Sequence, residues 1–335
     1  MTGLTLGKFA PLHRGHQFLI ETALKEVDRL IVVIYNCPEV TDVPLSVRAQ
    51  WIRALYPSVV VIEAWDGPSD MGDTARIKSI QERYIFRILN GLKIDKFYSS
   101  EFYGDHMSKA LQAENRIVDE NRTAVPVSGT EIRKDPILYK SFIHPLVYRD
   151  LITNVVFMGA PSTGKTTLAE RMAYEFSTYW MPEYGREYWD KHQVDKRLTK
   201  KQLVELAAGH LEREEEWLQK ANKYLFTDTN AITTYLFSLY YHKSADPELL
   251  EMVNFCIPRY HVYILCDMDI PYDDTWDRSG DANRRVMQNM TLEFLDSRGI
   301  QYYTVSGCPD ERMQKVKSIL NKKCTSSKLE LQEVT

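Results

Sequence analysis

Cysteine is scarce and scattered in this sequence. The 335-residue chain has five (Cys37, Cys256, Cys266, Cys308 and Cys324), an odd number with no C-x-x-C spacing. That argues against a disulfide framework and a thiolate zinc site, so reduced, mainly buried thiols are expected. Long apolar runs are missing too. Nothing approaches the roughly 18–20 residues needed to cross a bilayer, and the first residues lead into a strand-like segment with no leader pattern. A cytoplasmic protein without a membrane partner is expected. Charge of one sign is not in excess: 42 Lys and Arg against 46 Asp and Glu leave a net charge of −4. A nucleic-acid partner is therefore not expected. No repeat of fixed period occurs, and low complexity is confined to the polar end from Lys322 to Thr335, which is expected to fray.

What is present is an ordinary globular composition, 44% hydrophobic and 26% charged, in a chain long enough for about two domains. Apolar β-type runs occur at residues 4–9, 30–35, 59–64, 97–99, 155–158, 224–227, 261–266 and 302–305. Segments of helical period lie between most of them, at 16–26, 46–56, 74–89, 165–176, 199–221 and 292–298. This alternation predicts an α/β architecture twice over, with mainly parallel sheets and ligands beyond the carboxyl ends of the strands. A turn-rich stretch from Asp135-Pro136 to His144-Pro145 precedes a fresh strand near Val155. The domains are accordingly expected at residues 1–150 and 151–323, with a polar tail at 324–335.

The sharpest motif lies at the start of the second domain. The strand Val155-Val156-Phe157-Met158 runs into Gly159-Ala160-Pro161-Ser162-Thr163-Gly164-Lys165-Thr166-Thr167, a G-x-x-x-x-G-K-T loop that opens a helix. Gly159 and Gly164 let successive backbone N–H groups turn towards phosphate, with Ser162 and Thr163 between them. Lys165 then meets the β- and γ-phosphates of ATP, and Thr166 ligates Mg²⁺. An acidic residue ending a second buried strand completes such a magnesium site, and Asp228 stands in that position; it equally suits the N-cap of a helix starting near Ala231.

Two further stretches suit a small-molecule kinase. In Glu183-Tyr184-Gly185-Arg186, after the strand-like residues 178–181, Glu183 and Arg186 would face the phosphates. The run Asp277-Arg278-Ser279-Gly280-Asp281-Ala282-Asn283-Arg284-Arg285 reads either as a lid carrying Arg278 to the nucleotide or as a solvated charged loop.

The first strand also ends in a candidate phosphate site, Gly7-Lys8-Phe9-Ala10-Pro11-Leu12-His13-Arg14-Gly15-His16. Two imidazoles and a lysine around one strand-to-helix turn suit phosphate recognition better than zinc, for which no third ligand is evident. At the far end of that domain Ser128-Gly129-Thr130-Glu131 has the form of a capping box, with Arg133 one turn in, placed to bind a triphosphate from the opposite side. Arg48 is a further candidate cation, and Trp51 beside it a candidate core residue.

Taken together these motifs resemble the NadR-type bifunctional enzymes, a nicotinamide-nucleotide adenylyltransferase followed by a ribosylnicotinamide kinase. The resemblance spans about residues 5–319. It is carried by Gly7-Lys8-Phe9-x-Pro11-Leu12-His13-x-Gly15-His16, Ser128-Gly129-Thr130-x-Ile132-Arg133, the Gly159–Thr166 loop, Glu183-Tyr184-Gly185-Arg186, Asp228-Thr229 and the Asp277–Asp281 loop. It implies a Rossmann-like nucleotidylyltransferase domain and a P-loop kinase domain. In the first, His13, His16, Ser128, Thr130 and Arg133 would bind the triphosphate as NMN and ATP give NAD and pyrophosphate, without a covalent intermediate. In the second, ATP would phosphorylate nicotinamide riboside, with Lys165, Thr166 and Mg²⁺ at the phosphates and Asp228 or Glu183 at the hydroxyl.

The chain departs from the family pattern in two places. Its first transferase strand begins near residue 4, without the helix-turn-helix segment of the regulatory members, so no repressor role is expected. The family's tryptophan-bearing stretch has only Trp65 before residues 66–73. An adenylyltransferase–kinase fusion acting on another metabolite, such as pantetheine phosphate, and a nucleotide-sensing regulator without turnover are the rival readings. Homo-oligomerisation is left open.

Overall fold

Short β-branched and aromatic runs too apolar to face water on either side become the central strands of two parallel sheets, and the amphipathic segments between them become the covering helices. The computed structural model describes residues 1–68, 72–100, 104–194, 197–271 and 281–329, without the side chains of 281–282 and 323–329. It divides into two compact units, Met1–Leu151 and Ile152–Ser327. Among the described residues no helix is long and apolar enough to cross a membrane.

The first unit runs β1 (Thr2–Gly7), α1 (Arg14–Glu26), β2 (Arg29–Tyr35), α2 (Leu45–Leu55), β3 (Val60–Ala64), α3 (Ala75–Leu89), β4 (Lys96–Ser99), α4 (Gly104–Leu111), β5 (Glu114–Ile117), α5 (Gly129–Lys134) and α6 (Pro145–Arg149). Its strands are all parallel in the order β3-β2-β1-β4-β5. The chain order reverses between β1 and β4, which opens a crevice beyond their carboxyl ends. Leu4, Ile31, Val33 and Phe97 fill the core on one face, against Tyr84 and Ile85 of α3.

Three expectations are corrected in this unit. The first strand stops at Gly7 rather than at residue 9, because Phe9 turns the chain with a φ of 46°. The strand β5 was not expected at all: Glu114-Asn115-Arg116-Ile117 is polar, and it pairs only at the sheet edge, where Lys96 bridges Glu26 and Glu114. Arg48, read as a candidate cation for ligand, is 1% exposed and spends its guanidinium on the carbonyls of Lys8, Tyr35 and Val43. It clasps β1 to β2 instead. Trp51 is core, its indole N–H donating to Asp150 at 2.7 Å.

The second unit runs β6 (Thr153–Met158), α7 (Lys165–Glu175), β7 (Tyr179–Met181), α8 (Tyr184–His192), α9 (Lys200–Lys220), β8 (Tyr224–Asp228), α10 (Ala231–His242), α11 (Pro247–Cys256), β9 (Val262–Cys266), α12 (Asp281–Ser297), β10 (Tyr302–Val305) and α13 (Pro309–Leu329). Again every pairing is parallel, in the order β10-β9-β6-β8-β7. β6 is central and fully buried over its last five residues, and the loop it launches therefore emerges from the middle of the sheet. The register sets Phe157 beside Asp228, so the end of β8 lies next to the start of that loop.

α12 begins at Asp281, well before the expected residue 292, because part of the polar run read as a lid or charged loop is helical. Arg284 within it is 4% exposed and donates to the carbonyls of Ser162 and Ile270. Residues 272–280, and Arg278 with them, lie outside the described residues. The last helix takes in the residues at which the polar end was expected to begin.

Candidate functional sites

In the second unit the loop after β6 is held in a phosphate-binding shape by backbone conformations that few side chains tolerate. Gly159 sits at φ 132°, and a Cβ there would stand 2.7 Å from the Cys266 carbonyl, so no larger residue fits without displacing β9. Gly164 turns left-handed to start α7, and Ser162 does so at φ 59° without being glycine. Three distant side chains brace the loop. Gln288 accepts from the Ala160 N–H at 2.8 Å while donating to the Cys266 carbonyl, Arg312 donates to the Thr163 carbonyl at 2.6 Å, and Arg284 donates to that of Ser162 at 2.9 Å.

Lys165 folds its ammonium back onto the Ala160 carbonyl at 2.8 Å. Thr166 donates its hydroxyl to Asp228 at 2.6 Å. Asp228 is fully buried, and among the described residues its second oxygen, Oδ1, has no partner. Burial first, and Glu183 second, push its carboxyl up to about 6, against the opposing pull of Lys165, Thr166 and Arg186. The alternative role foreseen for Asp228 is taken by Asn230, whose side chain caps α10. An orphaned carboxylate oxygen beside a threonine hydroxyl is the donor chemistry that a hard divalent cation needs, so these two residues fit Mg²⁺.

Around them opens a cavity of about 470 Å³. Its polar lining is made by Gly159 and Ser162–Thr167, which includes Thr163, Gly164, Lys165 and Thr166; Glu183 and Arg186 join it from the start of α8. Its lining also includes the apolar side chains of Trp189, Leu203, Leu206, Phe237 and Tyr241. The cavity thus combines groups suited to phosphate with aromatic surface suited to a flat ring.

The first unit holds a cavity of about 730 Å³ at the carboxyl ends of β1 and β4. Gly7, Lys8, Phe9, His13, His16, Ser128, Gly129, Thr130 and Arg133 all line it. His13 caps α1, accepting from the Gly15 N–H through Nδ1 at 3.1 Å, which leaves the neutral ring's proton on Nε2. Burial, aided by Arg122 and Arg133, holds His13 down to about 4. His16 stacks on it with ring centroids 3.8 Å apart and is likewise held well below its usual range, by burial and then by His13. Both rings are therefore uncharged at neutral pH.

Ser128 and Glu131 form the expected capping box. Arg133 donates to the Ala10 carbonyl at 2.6 Å and to Thr130 at 3.1 Å. A Cβ on Gly129 would lie 3.1 Å from Arg133 Nη1 and 3.8 Å from His13 Nε2, so both donors converge at the start of α5. Lys8 is paired with Glu39 at 2.7 Å. Trp65 is 57% exposed and does not line the cavity, whose aromatic walls among the described residues include Phe9 and Tyr35.

Residues 4–135 match the family described as cytidylyltransferase-like, and residues 154–312 match that described as an AAA domain. The trifunctional NAD biosynthesis/regulator protein NadR of Escherichia coli K12 is 27% identical over 329 residues, covering 90% of this chain and 78% of that protein; the Salmonella typhimurium LT2 protein matches to the same extent. The similarity to NadR runs through both units. A NadR protein solved in complex with NR shares the fold, with a TM-score of 0.55 and 21% identity over 94% of this chain and 91% of that one. A second, solved with NAD and AMP-PNP, gives 0.52 and 21% over 91% of each.

Of the predicted residues that the structure describes, most line one of two cavities, and Asp228 meets Thr166 at the edge of the second. Sequence reasoning missed Arg122 and His210, which line the first and the second, and Gln288 and Arg312, which brace the loop after β6. None carries a local signal. His210, Gln288 and Arg312 reach the second site from helices far along the chain.

Proposed function

We propose that the chain is a bifunctional enzyme of NAD salvage, dividing its work at residues 1–150 and 151–323. The second part phosphorylates nicotinamide riboside with ATP, and the first joins the resulting NMN to ATP, giving NAD and pyrophosphate. The observation that carries this is the pairing, in NadR order, of an imidazole–arginine cleft with a P-loop cavity whose lining is partly aromatic.

For the kinase step, the backbone of residues 159–167 and Lys165 hold the β- and γ-phosphates, with Arg186 and Arg278 as further cations. Thr166 and Asp228 hold Mg²⁺, which when bound neutralises charge on those phosphates. Since Asp228 already accepts from Thr166, Glu183, which lines the cavity, is assigned to orient the acceptor hydroxyl and take its proton. Trp189, Phe237 and Tyr241 exclude water around the nucleoside ring.

For the adenylyl transfer, a phosphate oxygen of NMN attacks the α-phosphorus of ATP in line, and pyrophosphate leaves. His13, His16 and Arg133, with the N–H groups of Gly129 and Thr130, stabilise the negative charge that accumulates. The uncharged His13 contributes as a hydrogen-bond donor from Nε2, without giving up its proton. Gly7, Lys8, Phe9 and Ser128 shape the cleft.

Product analysis tests this reading, with ATP and Mg²⁺ supplied alongside nicotinamide riboside in one tube and NMN in another. NAD from both is the expected result. Mononucleotide in the first tube without NAD in the second would leave the kinase and overturn the transferase assignment, and no product in either would overturn both.

A further inference from the structure

His210 sits on the face of α9 that lines the second cavity, one turn beyond Leu206 and two beyond Leu203. It is 3% exposed. Among the described residues neither ring nitrogen has a partner at full hydrogen-bond geometry; the backbone of Thr229 and Asp228 interacts with the ring only more loosely. Leaving both polar atoms of a buried imidazole unmet is costly, so the position points to a partner that the described residues do not supply.

The ring is fixed in place from both sides. Gly209 lets the Tyr184 ring press directly on α9, since a Cβ there would meet it at 2.6 Å. Further along, the wholly buried Glu214 ties α9 to Arg259 at 3.0 Å and to Tyr260. His210 therefore cannot easily turn away from the cavity. Its place lies between the end of β8, where Asp228 meets Thr166, and the apolar walls of Leu203 and Leu206. In a bound nucleoside the sugar lies between the reacting hydroxyl and the ring.

We infer that His210 is a positioning residue that binds a ribose hydroxyl of the acceptor nucleoside, donating through one ring nitrogen or accepting through the other. This rests on the kinase reading above. A neutral imidazole offers one donor and one acceptor, which matches a sugar hydroxyl and asks for no charge on the substrate. A cavity so equipped discriminates against acceptors that lack the hydroxyl, because the histidine is then left unpaired.

The test is a cycle between the side chain and the substrate. Kinase kinetics are measured for the full chain and for His210→Ala and His210→Gln, each with nicotinamide riboside and with its 2′-deoxy and 3′-deoxy forms. The expected result is a KM for the riboside raised about ten-fold in His210→Ala with the KM for ATP unchanged, and partial recovery in His210→Gln. The penalty for removing one of the two hydroxyls, present in the unaltered chain, should vanish in His210→Ala. If that variant fails to fold, His210→Gln carries the cycle, with a reduced penalty expected. An unaltered chain that phosphorylates the riboside while all forms show the same deoxy penalty would overturn the inference alone. An unaltered chain that phosphorylates no riboside would overturn the kinase reading and the inference with it.

Discussion

The two units share an architecture, though their second and third strands exchange places beside the central one, and they differ in how they handle charge. Each is a five-stranded parallel sheet whose first strand in the chain occupies the centre, and each opens its cavity at the loop that follows that strand. In the second unit a buried carboxylate, Asp228, waits beside a threonine hydroxyl and a lysine, one oxygen unsatisfied among the described residues. In the first, two uncharged imidazoles and an arginine converge on one helix start, and the nearby acids are already spent: Glu39 on Lys8, and Asp119 on the N–H groups of Thr123, Ala124 and Val125. On the proposed reading, one site would use a cation to take a phosphate chain, and the other would meet the anion with its own donors. The lesson is that the strand ends, not the sheet, decide the chemistry.

Replacing Asp228 by Asn breaks this contrast most sharply. The kinase activity should fall about 10²–10³-fold, with adenylyl transfer unchanged. Stability moves the other way. The carboxyl has a higher pKa folded than unfolded, so its charge opposes folding above about pH 6 and is relieved as pH falls towards the unfolded value. The variant's Tm at pH 7.5, followed by circular dichroism, should accordingly equal or exceed that of the unaltered chain.

A smaller effect is expected from Gln288→Ala, which leaves the buried Ala160 N–H and Cys266 carbonyl without their partner. Urea unfolding should register a loss of about 1–3 kcal/mol, and the kinase KM for ATP should rise several-fold while the transferase KM does not move. A pH effect is expected as well. Protons compete with magnesium for Asp228, so the Mg²⁺ concentration giving half-maximal kinase rate should rise about ten-fold from pH 7 to pH 5. His13, held down to about 4, stays neutral across that range, and its titration should leave no mark on the transferase profile.

Much of this was legible along the chain because it is local. Strand-to-helix loops with Gly, Lys and His write their purpose into ten consecutive residues, and the capping box at Ser128 and Glu131 follows from spacing alone. What was not legible depends on distance. Arg48 and Arg284 look like solvent or ligand cations in sequence, yet both are buried because backbone carbonyls from other loops surround them. The cap role foreseen for Asp228 falls instead to Asn230, two residues on. β5 escaped notice because an edge strand in a charged setting need not be apolar.

The central claim, two independent phosphate sites of opposite charge logic in one chain, is tested most directly by a two-by-two assay. Lys165→Ala and His16→Ala are each measured for riboside phosphorylation and for adenylyl transfer to NMN. Lys165→Ala should abolish the first and spare the second, and His16→Ala should do the reverse; loss of both activities in either single variant would contradict the account.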